Sequence, residues 1–151
     1  MISGNERLLK MLLSNLIDNS CKFSVTHKVV IRIAYNSSSV TLRFINQGIG
    51  IPEEDLGHIF EPLYRASNVI STEGHGIGLS IVKRIADMHN ANITILSELN
   101  IGTTISVSFP VAGGFSPIQL HEFHHHLSKR LHLHSNGIFR FKFRRDCTTY
   151  K

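Results

Sequence analysis

The sequence has little cysteine and no long apolar run. Cys21 and Cys147, two thiols in 151 residues, share no spacing pattern, which gives no disulfide framework and points to reduced thiols in a cytosolic chain. No stretch approaches the ~18 apolar residues of a membrane span. The start Met1-Ile2-Ser3-Gly4-Asn5-Glu6 lacks the basic, apolar, small-residue order of a signal peptide, so the chain reads as soluble. Net charge is missing from most of the chain as well. The formal charge is +5, yet residues 1–112 hold nine Lys and Arg against nine Asp and Glu, while residues 113–151 hold seven against two. A neutral body predicts no nucleic-acid partner for it, and leaves the basic tail as the part that could meet an anionic surface. There is no internal repeat of fixed period.

What is present, 42% hydrophobic residues, suits one domain with a real core, residues 1–112, followed by a histidine-rich tail, 113–151, read as disordered or non-native. Ser3 and Glu6 have capping-box spacing. Leu9, Leu12, Leu13, Leu16 and Ile17 share one stripe at about 100° per residue, predicting an amphipathic helix to about Phe23. On the same wheel Asn15, Asn19 and Lys22 fall within about 60° of each other at the edge of that stripe, where a cleft would open. From His27 the period becomes two: residues 29–34, a turn at Asn36-Ser37-Ser38-Ser39, and residues 40–45 predict a hairpin. Pro52-Glu53-Glu54-Asp55 suits a short helix, since proline is tolerated in a first turn and acids favour a helix N-terminus. Residues 66–73 show no firm period and read as a mobile loop. Residues 77–88 predict a second helix, Asn90-Ala91-Asn92 breaks it, and strands at 93–96 and 104–109 make a second hairpin ending near Pro110. The order predicts an α+β fold with helices packed on one face of a mostly antiparallel sheet.

Two glycine clusters, Asn46-Gln47-Gly48-Ile49-Gly50 and Gly74-His75-Gly76-Ile77-Gly78, join the asparagine helix in describing a nucleotide pocket made from distant segments. The second is neither a dinucleotide fingerprint nor a Walker loop, because it lacks G-x-G-x-x-G and no Gly-Lys-Ser/Thr follows. Placed before a helix, its backbone N–H groups could hold phosphate oxygens, with His75 close by. Magnesium keeps several waters and takes oxygen donors, so one carboxamide, Asn19, is a sufficient protein ligand alongside phosphates. Asn15 can orient a water or phosphate, and Lys22 can meet phosphate as a point charge.

These residues resemble the ATP-binding catalytic domain of sensor histidine kinases, in the superfamily that includes DNA gyrase and MutL. Asn15 to Lys22 is similar to the family's N-box, Asn46 to Gly50 to its first glycine box, Phe60 to Arg65 to its F-box and Gly74 to Leu79 to its second glycine box. The resemblance covers residues 5–110 and implies a two-layer α/β sandwich of the Bergerat type. It implies Asn19 as the Mg2+ ligand and Asn15 and Lys22 on the phosphate side. Tyr64 and Arg65 become nucleotide or phosphate contacts, and residues 66–76 a lid over ATP. Gly48 and Gly50 would admit the adenine, with Ile51, Ile77 and Leu79 beside the nucleotide. Asn15, Lys22 and Arg65 are the expected catalytic residues, Arg65 offsetting charge on the transferred phosphoryl group. Asn46 departs from the family's aspartate, leaving a neutral acceptor for the adenine amino group. Family members that hydrolyse ATP resemble one another in having glutamate where Asn15 stands, and an amide is no general base at neutral pH.

The resemblance therefore implies transfer to a histidine on a separate dimerisation segment, and onward signalling through a response regulator. That histidine, followed by Glu or Asp and Pro, is absent here; His121-Glu122 lacks the proline. Two other readings remain: a gyrase- or MutL-like hydrolysing module, and a non-catalytic nucleotide sensor. His27, His58 and His89 sit at element ends and suggest turn or capping roles. In the tail, His121, His124, His125 and His126 have metal-compatible spacing but read as a low-complexity run. Residues 138–145 alternate aromatic and basic, as an edge strand or an anion-binding strip would.

Overall fold

The computed structural model describes residues 4–70 and 72–111, and the backbone of 139–143. Helix α1 spans Glu6–Lys22. Its cap is Asn5, whose Oδ1 accepts the Arg7 and Leu8 N–H groups at 3.0 and 3.2 Å. A carboxamide one residue before the first turn reaches those orphan donors, so Asn5 takes the role expected of Ser3, which lies outside the described residues. Helix α2 spans Gly78–Met88. Its cap residue His89 is buried; because Nε2 accepts the Asn5 N–H at 3.1 Å, Nδ1–H donates to Ile85 O at 2.7 Å. The end of α2 is thereby tied to the start of α1, which gives His89 the capping role its position suggested.

Strands β1 (Val29–Tyr35) and β2 (Ser39–Gln47) form the first hairpin. Asn36 Oδ1 closes its turn, accepting the N–H groups of Ser38 and Ser39 at 2.9 and 2.8 Å. Strands β3 (Asn92–Glu98) and β4 (Gly102–Pro110) form the second. Antiparallel pairing of β2 with β4, from Ser39 opposite Pro110 to Gln47 opposite Gly102, joins the hairpins. The tail segment β5 (Phe139–Phe143) pairs antiparallel with β1, giving the order β3-β4-β2-β1-β5. Part of the tail thus belongs to the sheet; the histidine run lies outside the described residues.

Both helices cover one face of the sheet, as the element order predicts. Ile105, Val107 and Phe109 of β4 are buried while Thr104, Ser106 and Ser108, which alternate with them, are partly exposed, the period of two expected of a one-sided sheet. Phe44, Val107 and Phe109 meet Leu12 and Leu16 of α1 and Val82, Ile85 and Ala86 of α2 in one core. This packing holds the polar edge of α1 against the N-terminus of α2. The site is built along that seam.

Candidate functional site

A largely apolar cleft of about 210 Å³ opens between the end of α1, the start of α2 and the loop 66–76, with Ile105 and Thr103 of β4 among its lining. Asn19, Lys22, Asn46, Gly50, Ile51, Tyr64, Arg65 and the whole run Gly74, His75, Gly76, Ile77, Gly78 and Leu79 line it. Two expected residues stand outside its lining. Gly48 is buried behind it, where a Cβ would lie 1.9 Å from Phe23 O. Asn15 sits one turn before Asn19; its Nδ2 donates to Met11 O at 2.9 Å, and its Oδ1 would lie 3.0 Å from a Cβ at Gly78.

The glycines serve the chain more directly than the sequence implied. Gly50 has φ +69°, and a Cβ there would meet Glu98 O at 2.2 Å. Gly76 also has φ +69°, and Tyr64 O stands 2.6 Å from where its Cβ would be. Neither position admits a side chain, because the left-handed conformation and the neighbouring backbone both forbid it. The expected close approach is therefore first an approach of backbone to backbone. At the head of the first cluster, buried Asn46 directs its amide nitrogen at Phe23 O, 3.5 Å away, so its oxygen is the acceptor left for the cleft.

At the seam, α2 begins at Gly78 with no side-chain cap. The two asparagines crowd that start: a Cβ at Gly78 would lie 3.4 Å from Asn19 Nδ2 as well as against Asn15. Uncapped N–H groups and the positive end of a helix beside a carboxamide suit a phosphate chain carrying a cation. Among the described residues no group of three or more His, Cys, Asp or Glu could hold a metal ion by itself. The donor set fits magnesium delivered with phosphate, which needs few protein ligands.

The two cations are held by the loop. Lys22 Nζ donates to Glu73 O, and Arg65 Nη2 donates to Thr72 O and, at 2.5 Å, to Val69 O. Asn68 Nδ2 donates to Gly50 O at 3.0 Å, and Leu63 N–H to Gly76 O at 3.0 Å. Residues 67–69 form a 3-10 turn, so a segment read as a mobile loop has named fastenings at both ends.

Asp55 was not foreseen. It ends the 3-10 turn Glu53–Asp55 and is 5% exposed, whereas Glu53 and Glu54 face solvent. Its Oδ1 accepts the Tyr64 hydroxyl at 2.5 Å; its Oδ2 accepts the Ser67 N–H at 2.8 Å and hydroxyl at 2.9 Å. The Tyr64 hydrogen bond, then the Ser67 N–H, hold its carboxyl below the usual range, and the same bond raises the Tyr64 phenol. In sequence the three acids are equivalent, and only burial separates the third.

The fold and cleft have counterparts among known proteins. A family profile described as "Histidine kinase-, DNA gyrase B-, and HSP90-like ATPase" matches residues 4–113. The heme sensor protein HssS of Staphylococcus saprophyticus is 38% identical over 109 residues, 72% of this chain and 23% of that protein. The sensor histidine kinase YkoH of Bacillus subtilis is 34% identical over 116 residues, 76% of this chain and 25% of that protein. Among solved structures, the mycobacterial sensor histidine kinase MprB aligns with TM-score 0.67 and 27% identity over 75% of this chain and 76% of that one. The catalytic domain of histidine kinase ThkA aligns with TM-score 0.61 and 28% identity, covering 71% and 69%. The chain thus spans about a quarter of the length of these two curated relatives.

Proposed function

Because the chain belongs to the histidine kinase-, DNA gyrase B-, and HSP90-like ATPase family, we propose that it is the ATP-binding catalytic domain of a sensor histidine kinase. It passes the γ-phosphoryl group of ATP to a histidine on a dimerisation segment outside this sequence, from which a response regulator would be served. In that setting it is the cytosolic part of a sensor; no helix among the described residues is long and apolar enough to cross a membrane. The observation that carries this reading is the convergence of Asn19, Lys22, Arg65 and the uncapped start of α2 on one cleft.

Adenine occupies the apolar end, with Asn46 Oδ1 accepting its amino group beside Gly50 and Ile51. The phosphates extend toward Gly74–Leu79, where the N–H groups of α2 receive them. Asn19 supplies a carboxamide oxygen to magnesium, which when bound neutralises charge on the phosphate oxygens. Phosphate oxygens compete with the carbonyls of Glu73, Val69 and Thr72 for Lys22 and Arg65. A dianionic acceptor outbids a neutral carbonyl, so occupation of the cleft transfers both cations from loop to phosphate and frees residues 69–74 to rearrange. Arg65 then stands against the charge of the transferred group.

Transfer to histidine is favoured over transfer to water by Asn15. It occupies the position of a hydrolytic base, and its amide is bonded to Met11 O. Asp18, one residue before Asn19, is exposed and outside the cleft. One acid does line the cleft, Glu73 on the loop, and it gives hydrolysis a specific form to test. With radiolabelled magnesium ATP and a histidine-bearing helical-hairpin dimer, label should appear as acid-labile phosphoprotein on the hairpin. Phosphate release alone, reduced by Glu73→Gln, would establish the hydrolase instead.

A further inference from the structure

Asp55 carries an inference that rests on reading the cleft as an ATP site. A buried carboxylate is costly unless its oxygens are satisfied, and this one is satisfied entirely by neutral donors: a phenol, a backbone N–H and a hydroxyl. No ion pair among the described residues includes it. An ionised carboxylate accepts on both oxygens, and an amide cannot, since one end of an amide is a donor. Charge here buys two-sided acceptance.

The location gives that acceptance a use. Tyr64 and Ser67 flank Arg65 and Ala66, so the two oxygens of Asp55 grip the chain on either side of the arginine. They do so where the Phe60–Arg65 corner becomes the loop. Arg65 in turn holds Val69 and Thr72, and Asn68 holds Gly50. Asp55 is absent from the cleft lining while Tyr64, Arg65, Ala66 and Asn68 are all part of it. We propose that Asp55 is a positioning residue for phosphoryl transfer: by clamping Tyr64 and Ser67 it fixes the backbone of Arg65 and the root of the lid relative to the terminal phosphate. It leaves the nucleoside end to Asn46 and Gly50.

The inference separates ATP from ADP, because only the terminal phosphate depends on Arg65 and the lid root. In Asp55→Asn the amide N–H can meet the phenol only by donating to it, so the Tyr64 bond reverses direction, all three bonds lose their charge assistance, and the clamp weakens. With the full chain and Mg2+, ADP affinity should stay within about twofold while the ATP-to-ADP affinity ratio falls about fivefold, ~1 kcal/mol. Amide hydrogen exchange across residues 66–73 should quicken. Tyr64→Phe combined with Ser67→Ala, which removes both hydroxyls and keeps the carboxylate, should lower the same ratio, and decides the matter if Asp55→Asn does not fold. An unchanged ratio with unchanged exchange overturns the inference. So does a parallel loss of ADP and ATP affinity with a lowered melting temperature, which would make Asp55 merely structural. A wild-type chain that binds neither nucleotide overturns the ATP-site reading itself and is distinguishable from both.

Discussion

In the proposed reading, single side chains divide this cleft between metal, adenine and lid, and each has its own test. Asn19→Ala removes the one carboxamide oxygen assigned to magnesium, so the gain in nucleotide affinity on adding Mg2+ should shrink about tenfold, ~1.4 kcal/mol, in titrations with and without the ion. Equal gains in both proteins would remove Asn19 as the ligand. Asn46→Asp restores a charged acceptor, and a charge-assisted bond is roughly twice as strong as a neutral one of about 1 kcal/mol. ATP should bind up to about fivefold tighter, and an unchanged Kd would place the adenine elsewhere. For Asp55 the sign of the pH effect follows from its lowered pKa. Stability from the Tyr64 and Ser67 bonds is fully present above the ordinary value of 3.8 and is lost as pH falls through the folded value. The raised Tyr64 phenol keeps its share below 10.0 and loses it as pH rises through the folded value. The melting-temperature difference between wild type and Asp55→Asn should therefore be flat near neutrality and narrow in acid, as Asp55 takes up a proton, and in alkali, as Tyr64 loses one.

At the scale of elements, the helix seam depends on contacts that sequence reveals unevenly. His89 joins the end of α2 to Asn5 at the start of α1. His89→Ala leaves the Asn5 N–H without its partner beside a new void and should cost about 1–3 kcal/mol in chemical denaturation. A loss below about 0.5 kcal/mol would show that the seam is held by the core alone. Both helices, both hairpins and their order were legible because period 3.6 and period 2 are written in residues such as Leu12, Leu16, Val29, Ile31 and Val107. The asparagine edge and both glycine clusters were legible for a related reason: their residue types are unusual for their positions. What was hidden depends on partners far along the chain. The cap at Asn5 competes with an equally plausible Ser3, and His89 gains meaning only from a residue 84 positions away. Asp55 looks like its two exposed neighbours. The loop from 66 looked unstructured because its order comes from Lys22, Asp55 and Gly50, not from its own period.

For the whole molecule, the balance between body and tail decides how the chain behaves in solution. The body up to residue 112 has equal numbers of basic and acidic residues, and a chain near zero net charge has little electrostatic protection against association. Its sheet ends on β1, whose sequence Val29-Val30-Ile31-Arg32-Ile33-Ala34-Tyr35 has a single charged residue. A β-branched edge of that kind is a template for another strand, and β5 covers it over Val29 to Ile33. The tail thus contributes both the covering strand and the net positive charge, while among the described residues the cleft lining runs from Asn19 to Ile105. A chain ending at residue 113 should bind magnesium ATP within about twofold of the full chain, since none of the described lining residues is lost. In sedimentation velocity at rising concentration it should associate where the full chain does not, and Val30→Lys, which puts a charge on β1 at a partly exposed position between buried Val29 and Ile31, should reduce that association. A shortened chain that stays monomeric would show that β1 has no need of its cover. Loss of nucleotide binding on shortening would instead make the tail part of the ATP domain, moving its boundary beyond residue 113.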